Sequence, residues 1–465
     1  MLDRLFKSGR FQAAIWASIG IIFKTNPLFG QDEDYTGFRH ELYQEDNDRM
    51  SVTTDSVGWD IGLNDHVRIN GQLVRDAISG ATPTGAPPQS QWPFATFNDF
   101  FNQDYSKLFQ AAINNTNNLE LYQSGLFSGY PNPYQAYTNY VAQNNPQLGP
   151  EATNNAAQSY NKLITSPSYH NTTVPLTQIS DLRMAVSLGV PVTFALGDTV
   201  QKITPQASYS TESDYDSLGL ALNYQTQLNQ KNTTLDLSLS QDIDSVRDDT
   251  LVHWQSKNGT ELLAGINQLL TPKSYIEADF TFGDEHGYLS DPYRGVMALL
   301  NFLQYNAEDA ALIPENRPRN RTKEIFYTRY TQFIDPLDGS IELSYRFFHD
   351  SYGIYGNTFE GVWRQNLGRH FVLSPGFRYY RQTQASFYYV MVPDYDNLPP
   401  YYSSDYRLSR FQSFNISVDL TCKVAKQFYL DLAYSRYIVQ GLDGVTSQSA
   451  YPSANVFSIE GRIFF

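Results

Sequence analysis

The segments FYLDLAYSRYIV (428–439) and NVFSIEGRIFF (455–465) at the end of the chain indicate the fold. In the first, apolar side chains occupy every second position: Phe428, Leu430, Leu432 and Tyr434. The second alternates in the same way, with Phe457, Ile459, Gly461, Ile463 and Phe465 on one face and Ser458, Glu460 and Arg462 on the other. A period of two is that of a β-strand with one apolar and one polar face.

The same period recurs along the chain from residue 34 onward, for example in 184–192, 218–224 and 276–282. A strand with lipid on one side and water on the other must alternate in this way. Counting such segments predicts about sixteen strands. They lie at 34–45, 50–63, 67–79, 183–195, 200–212, 215–228, 233–245, 258–270, 274–287, 322–334, 339–350, 354–366, 370–385, 406–422, 426–439 and 453–465.

The connections between these segments differ in length according to their order. Every second connection is a tight turn, near residues 64, 196, 229, 271, 335, 367 and 423. The intervening ones include every long loop: 80–182, 246–257, 288–321, 386–405 and 440–452. Outer-membrane barrels have short periplasmic turns and long outer loops, and a soluble sandwich has no reason to separate loop lengths. The predicted fold is therefore all-β, a transmembrane antiparallel up-and-down β-barrel.

Composition narrows the class of protein. Of the 465 residues, 41% are hydrophobic and only 17% charged, and the mean hydropathy is -0.43. The chain has no apolar run of about 18 residues, which excludes a helical membrane protein but not a barrel. A formal net charge of -15 argues against nucleic acid as a partner. Cys422 is the only cysteine, so no intramolecular disulfide is expected.

The first thirty residues are predicted to be a signal peptide. Arg4, Lys7 and Arg10 precede the apolar stretch 13–23, and cleavage is expected near Gly30. The mature chain, 31–465, would then lie in the bacterial outer membrane, in contact with its lipid. Phe465 on the last alternating strand resembles the C-terminal sorting signal that the barrel assembly machinery reads.

The polar positions of the predicted strands supply candidates for the inner face of the barrel. These lumen-lining candidates are Asp60, Arg68, Glu277, Asp279, Glu342, Arg346, Glu360, Arg364, Arg378, Asp419, Asp431, Glu460 and Arg462. In water they would set the selectivity of a pore, and packed against each other they would fill a closed barrel. Mixed signs argue against strong ion selectivity, although the acidic excess favours cations.

Two long outer connections are candidates for control of the pore. The first, 80–182, holds an insertion from 88 to 174 in which 97–112 has apolar residues at helical spacing, so it is either a partly helical ordered element or a mobile polar loop. The second, 288–321, ends in three gating candidates, Arg317, Arg319 and Arg321, which can pair with acidic residues of the rim.

No pattern in the chain predicts catalysis, a cofactor or a metal. His40, His286 and His349 map to predicted outer strand ends, yet no two histidines have the spacing of metal ligands. Tyrosines near strand ends are expected at the headgroup boundary, and aromatic stacking on a flavin or sugar is the alternative. They are Tyr379, Tyr380, Tyr388, Tyr389, Tyr401, Tyr402 and Tyr406.

Several stretches resemble the DUF3570 family of bacterial proteins of unassigned function. They include DAISGATPTGAPP (76–88), HGYLSDPYRGV (286–296), ENRPRNRTKE (315–324), YYSSDYRLS (401–409) and DGVTSQSAYPSANVF (443–457). The resemblance implies an outer-membrane barrel without catalytic residues. It also implies a redox setting, with periplasmic thioredoxin-like or flavinylated proteins as partners.

Three functions follow as hypotheses. The first is a porin-like channel, or a transport or docking protein, for a solute or partner. The second is a non-conducting scaffold for an extracytoplasmic redox system. The third and weakest is a hydrolase on the barrel wall, which no motif supports.

Overall fold

A computed structural model describes residues 33–88, 97–164, 173–247, 252–299, 310–392 and 394–465. The predicted signal peptide and Gly30 lie outside these residues. No helix within the described ranges is both long and apolar enough to cross a membrane.

Strands dominate the described chain. Its first half contains β1 (Tyr35–Glu45), β2 (Met50–Gly62), β3 (Arg68–Pro83), β4 (Leu176–Gly189), β5 (Val192–Leu196), β6 (Thr199–Thr211), β7 (Tyr215–Leu228), β8 (Thr233–Arg247), β9 (Trp254–Thr271) and β10 (Ser274–Gly287). Its second half contains β11 (Gly295–Leu299), β12 (Ala310–Pro314), β13 (Asn320–Ile334), β14 (Gly339–Asp350), β15 (Tyr355–Leu367), β16 (Phe371–Gln382), β17 (Met391–Val392), β18 (Phe411–Lys423), β19 (Phe428–Gly441) and β20 (Ser453–Phe464).

Seventeen of these strands form one antiparallel sheet that closes because β1 pairs with both β2 and β20. Arg39, for example, lies between Ser56 on β2 and Glu460 on β20. β4 and β5 both pair with β6 and act as one strand interrupted at Pro191, which has no backbone N–H to donate to the sheet. The described residues therefore form the sixteen-stranded barrel that alternation predicts, and the fold prediction is confirmed.

The two ends of the barrel differ as the loop lengths predict. At one end lie Asp34, Phe465 and the tight turns. Gly197 and Gly368 occupy two of these turns with φ of +59° and +68°, values that favour glycine because it has no Cβ. At the other end lie the long connections. Phe465, the predicted sorting residue, is 61% exposed at the end with the tight turns, where the backbone carbonyl of Asp34 accepts its N–H at 3.0 Å.

The outward face of the wall is apolar. Leu218, Leu220 and Leu222 of β7 are 40%, 47% and 51% exposed. The alternate residue Asn223 accepts a hydrogen bond from the Ser238 hydroxyl on the inner face. Exposed leucines on one face and hydrogen-bonded polar groups on the other are the arrangement of a transmembrane barrel.

The connection between β3 and β4 contains four helices in its described part. They are α1 (Phe97–Ile113), α2 (Thr116–Gln123), α3 (Pro133–Asn144) and α4 (Leu148–Ile164). The side chains of Asn115 and Asn132 accept hydrogen bonds from the first turns of α2 and α3. Tyr137 and Val141 are buried between the helices, and the Tyr137 hydroxyl donates to the Ile113 carbonyl. The insertion thus has its own small apolar core.

Both predicted long loops are shorter in the structure. β3 continues to Pro83 and β4 begins at Leu176, because these residues keep pairing with each other although apolar and polar residue types no longer alternate there in the sequence. Likewise β13 begins at Asn320, which places Arg321 in a strand and not in the loop.

Candidate functional site

All thirteen lumen-lining candidates occupy positions that alternate with the exposed apolar residues, and therefore lie on the inner face. Three groups of ion pairs connect many of them. Near the end with the tight turns, Arg68 pairs with Asp60 at 2.7 Å, and Arg462 pairs with Asp431 at 2.6 Å and with Glu460 at 3.5 Å.

The third group is centred on Arg329, which is not among the predicted lumen-lining residues. Arg329 contacts Glu277 and lies 3.9 Å from Glu342, which also pairs with Arg364 at 3.3 Å. Apolar and polar residues alternate along β13, and this alternation alone places Arg329 on the inner face. The sequence could therefore have predicted its position.

The remaining candidates take other positions on the inner face. Glu360 faces Arg378 across the β15–β16 pair, and Asp279 lies opposite Gly265. Within the described chain, Arg346 and Asp419 make no ion pair, although the Arg346 guanidinium lies 5.4 Å from the centre of the Phe348 ring.

The inner wall is not packed solid. The paired side chains of the candidates are between 13% and 33% exposed. A barrel of about sixteen strands leaves an aqueous interior unless loops fill it. The part of the lumen between the tight turns and the long loops is therefore lined by partly hydrated charges of both signs.

Loops at the other end form an ordered element, the outer cap. The outer cap consists of residues 84–88, 288–299, 310–319, 383–392, 394–410 and 442–452. Its centre is a three-stranded sheet in which β11 pairs antiparallel with β12 and parallel with β17. Val296, Ala298 and Val392 of this sheet are fully buried.

The outer cap sits inside the mouth of the barrel. Tyr406 packs in a buried cluster with Val439, and the inward-facing Tyr380 and Tyr437 lie against this cluster. The Arg294 guanidinium donates to the Thr82 hydroxyl at 3.0 Å and lies 5.7 Å from the centre of the Tyr406 ring. These contacts join cap residues to inner-face residues of β3, β16 and β19.

Six charged residues connect the two largest cap loops, and together they are the charge cluster. They are Asp291, Arg294, Glu315, Arg317, Asp405 and Arg407. Arg317 bridges Glu315 at 2.6 Å and Asp405 at 2.8 Å. Arg407 bridges Asp405, with Nε 2.9 Å from Oδ1, and Asp291 at 2.5 Å.

Burial governs the titration of the charge cluster. The side chains of Glu315 and Asp405 are inaccessible to solvent. Burial alone would raise the pKa of Asp405, but the guanidinium groups of Arg407 and Arg294 outweigh it and hold this pKa below its usual range. Burial raises the pKa of Glu315, although Arg317 opposes the shift. The Asp405 carboxylate is therefore stabilised in its ionised form.

The three gating candidates take different places. Arg317 is part of the charge cluster. Arg319 is exposed and contributes its backbone carbonyl to the Gly287 N–H at 2.9 Å. Arg321 lies in β13, pairs with Asp350 at 2.6 Å and lies 4.7 Å from the centre of the Tyr352 ring.

Histidine and tyrosine positions differ in part from the expectation. His40 lies in the middle of β1 on the outward face, 2.8 Å from Asp55, and not at a strand end. Tyr379 faces outward, but its neighbour Tyr380 faces the lumen, and Tyr388 and Tyr406 are buried in the outer cap. Proximity to a strand end thus does not decide which tyrosines reach the headgroup boundary.

One acidic cluster has the spacing of metal ligands. Asp181, Glu212 and Asp214 place carboxylate oxygens within 4.8 Å of each other at the outer end of the barrel. Asp181 and Glu212 are half-buried and Asp214 is buried, and this cluster does not lie among the residues of the outer cap.

The family model for the protein of unknown function DUF3570 matches residues 25–253 and 248–455, and the chain belongs to this family. No curated protein matches the sequence. The segments that carried the resemblance also build the outer cap: they contribute Arg294, Arg317, Asp405 and Arg407.

Solved outer-membrane barrels are similar in fold. The siderophore receptor PirA from Pseudomonas aeruginosa is 9% identical with a TM-score of 0.36, covering 93% of this chain and 62% of that one. CdiB from Acinetobacter baumannii is 7% identical with a TM-score of 0.42, covering 92% and 60%. A loop-deletion mutant of OmpT from Vibrio cholerae is 9% identical with a TM-score of 0.37, covering 93% and 98%. The chain thus spans less than two thirds of the length of PirA and CdiB.

Proposed function

We propose that this member of the DUF3570 family is an outer-membrane channel for polar solutes that its outer cap holds closed. The observation that carries the proposal is a partly hydrated, charged lumen beneath a cap seated in the barrel mouth. A diffusion pore has no need for two loops joined by a buried charge cluster. A buried charge cluster that holds two cap loops together is expected where the opening of the barrel mouth is controlled.

The lumen charges favour cations modestly. The thirteen inner-face candidates comprise eight acidic residues and five arginines, Arg329 adds a sixth arginine, and several of these residues are paired with each other. We expect a weak preference for cations over anions and passage of neutral polar solutes. The proposal requires no chemistry by the protein itself.

Conductance measurements on the intact protein in planar bilayers test the proposal. The wild-type channel should conduct rarely, and Arg294→Ala should raise the conducting fraction several-fold, because it removes the contacts with Thr82 and Tyr406. Arg319→Ala is the matched control, since Arg319 is an exposed cap arginine whose side chain makes no ion pair among the described residues. Heat-modifiable migration in gels shows whether each barrel is folded.

Two results would change the conclusion. If the wild type conducts freely and Arg294→Ala has no effect, the protein is an open pore and the cap is not a gate. If neither protein conducts although both are folded, a non-conducting scaffold for periplasmic redox proteins becomes the better account.

A further inference from the structure

An aromatic row crosses the lipid-facing wall near its outer end. It consists of Tyr345, Phe359, Tyr379 and Phe414, which are consecutive partners on β14, β15, β16 and β18. Ring centroids are 4.8 Å apart in the first pair and 5.2 Å apart in the last. The Tyr345 hydroxyl donates to Asn357 at 2.7 Å and the Tyr379 hydroxyl to Gln412 at 3.1 Å, both further toward the outer end. Tyrosines with an apolar ring and an outward hydroxyl mark the boundary between hydrocarbon and headgroups.

A recess of about 410 Å³ lies directly outside this row. Its lining includes Tyr355, Asn357, Arg381, Gln384 and Arg410. Asn357 and Arg381 are cross-strand partners two residues beyond Phe359 and Tyr379 on the same outward face. The recess therefore lies at the depth of the lipid headgroups.

Two guanidinium groups of this recess have no acidic partner among the residues that the structure describes. Arg381 and Arg410 are exposed and make no ion pair within the described part of the chain. By contrast, the outward Arg436 of β19 pairs with Asp46 at 2.5 Å. Adjacent like charges without counter-ions repel each other, so an anion that contacts both would be held favourably. Arginine is suited to phosphate because its planar fork donates two parallel hydrogen bonds.

We propose that this recess binds the phosphorylated headgroup of a glycolipid in the outer leaflet. Arg381 and Arg410 contact the phosphate, while Asn357 and Gln384 offer amide groups to sugar hydroxyls. The Tyr355 ring, 4.4 Å from the ring of His349, adds an aromatic wall. His349 in turn lies 3.4 Å from Glu324, and neither residue lines the recess.

Among the described residues, the two arginines of the site take no part in the ion pairs of the lumen. Arg381 faces outward, whereas its neighbour Gln382, which also lines the recess, is buried and donates to the carbonyls of Arg407 and Ser409 at 2.9 and 2.8 Å. Arg410 stands at the other end of the 383–410 connection, so a bound headgroup contacts both ends of this cap loop. Failure of the channel proposal would leave the lipid site unaffected.

Native mass spectrometry of the purified full-length protein tests the site. The probes are diphosphorylated lipid A, the same lipid after removal of its phosphates, and inorganic phosphate. The double variant Arg381→Gln with Arg410→Gln should bind diphosphorylated lipid A about tenfold more weakly or worse, because it loses charge-assisted contacts to the phosphate. Arg369→Gln is the control, since Arg369 is an exposed arginine in the tight turn at the opposite end of the same β15–β16 hairpin.

The arms of the experiment separate the possibilities. Loss of binding in the double variant, intermediate loss in each single variant and unchanged binding in Arg369→Gln support the proposal. Equal binding of the phosphate-free lipid, or equal binding by the folded double variant, overturns it. Competition by inorganic phosphate as strong as that by the lipid would show an anion site and also overturn the assignment to a headgroup.

Discussion

Removal of the Asp405 carboxylate is the most direct perturbation of the outer cap. This side chain is inaccessible to solvent and accepts hydrogen bonds from Arg317 at 2.8 Å and from Arg407 at 2.9 Å. Removing one partner of a buried ion pair costs about 3 to 5 kcal/mol. Each arginine keeps a second carboxylate, Glu315 or Asp291, so we expect the lower end of that range for Asp405→Ala. About 3 kcal/mol corresponds to a change of about a hundredfold in the ratio of open to closed caps.

Single-channel recording measures this ratio directly. Asp405→Ala should raise the open-to-closed ratio about a hundredfold, and its barrel should keep heat-modifiable migration because no strand is altered. Asp396→Ala is the control, since Asp396 is an exposed acidic residue in the same 394–410 segment. If the two variants conduct equally, the charge cluster does not hold the cap closed and the reasoning fails.

Three further predictions concern the wall, its orientation and pH. Leu220→Arg should impair assembly, because an arginine facing mid-membrane costs about 2 to 4 kcal/mol, whereas Asn223→Arg on the inner face should assemble normally; the reverse pattern in membrane fractions would shift the strand register by one residue. A cysteine introduced at Asn117 should react with an impermeant thiol reagent on intact cells and a cysteine introduced at Lys273 should not, because the two positions lie at opposite ends of the barrel. Labelling of the cysteine at position 273 alone would show that the barrel has the opposite orientation in the membrane. Above the ordinary aspartate pKa of 3.8, ionised Asp405 stabilises the closed cap, and this stabilisation is lost progressively as the pH falls below that value. Conductance should therefore rise on acidification below 3.8. Asp405→Asn should remove this rise, and an unchanged pH profile in that variant would contradict the assignment.

The wall could be predicted because its signal is local. Leu432 and Asp431 are adjacent in sequence, and a strand places adjacent side chains on opposite faces whatever the rest of the chain does. The same rule places Arg329 on the inner face once β13 is identified. It also separates Tyr379 from Tyr380, which proximity to a strand end could not do.

The outer cap could not be predicted, because its contacts join segments far apart in sequence. Asp291, Glu315 and Asp405 have no spacing that relates them to each other, and each resembles an ordinary loop acid. The prediction that Arg317, Arg319 and Arg321 act together treated a run of arginines as one unit. In the structure these three side chains have different surroundings.

The sequence by itself determined the strand count, the face that each side chain presents to lipid or lumen, and the difference between the two ends of the barrel, because all three follow from alternation and loop length. Only the tertiary structure decided which loop charges meet. Closure of β1 on β20 gives the barrel one mouth at which the segments 288–299, 310–319 and 394–410 meet, and there the buried carboxylates pair with guanidinium groups. The register of four neighbouring strands aligned the aromatic row beneath the two arginines of the outer recess, since these residues reach a common depth only when the strands pair in that register.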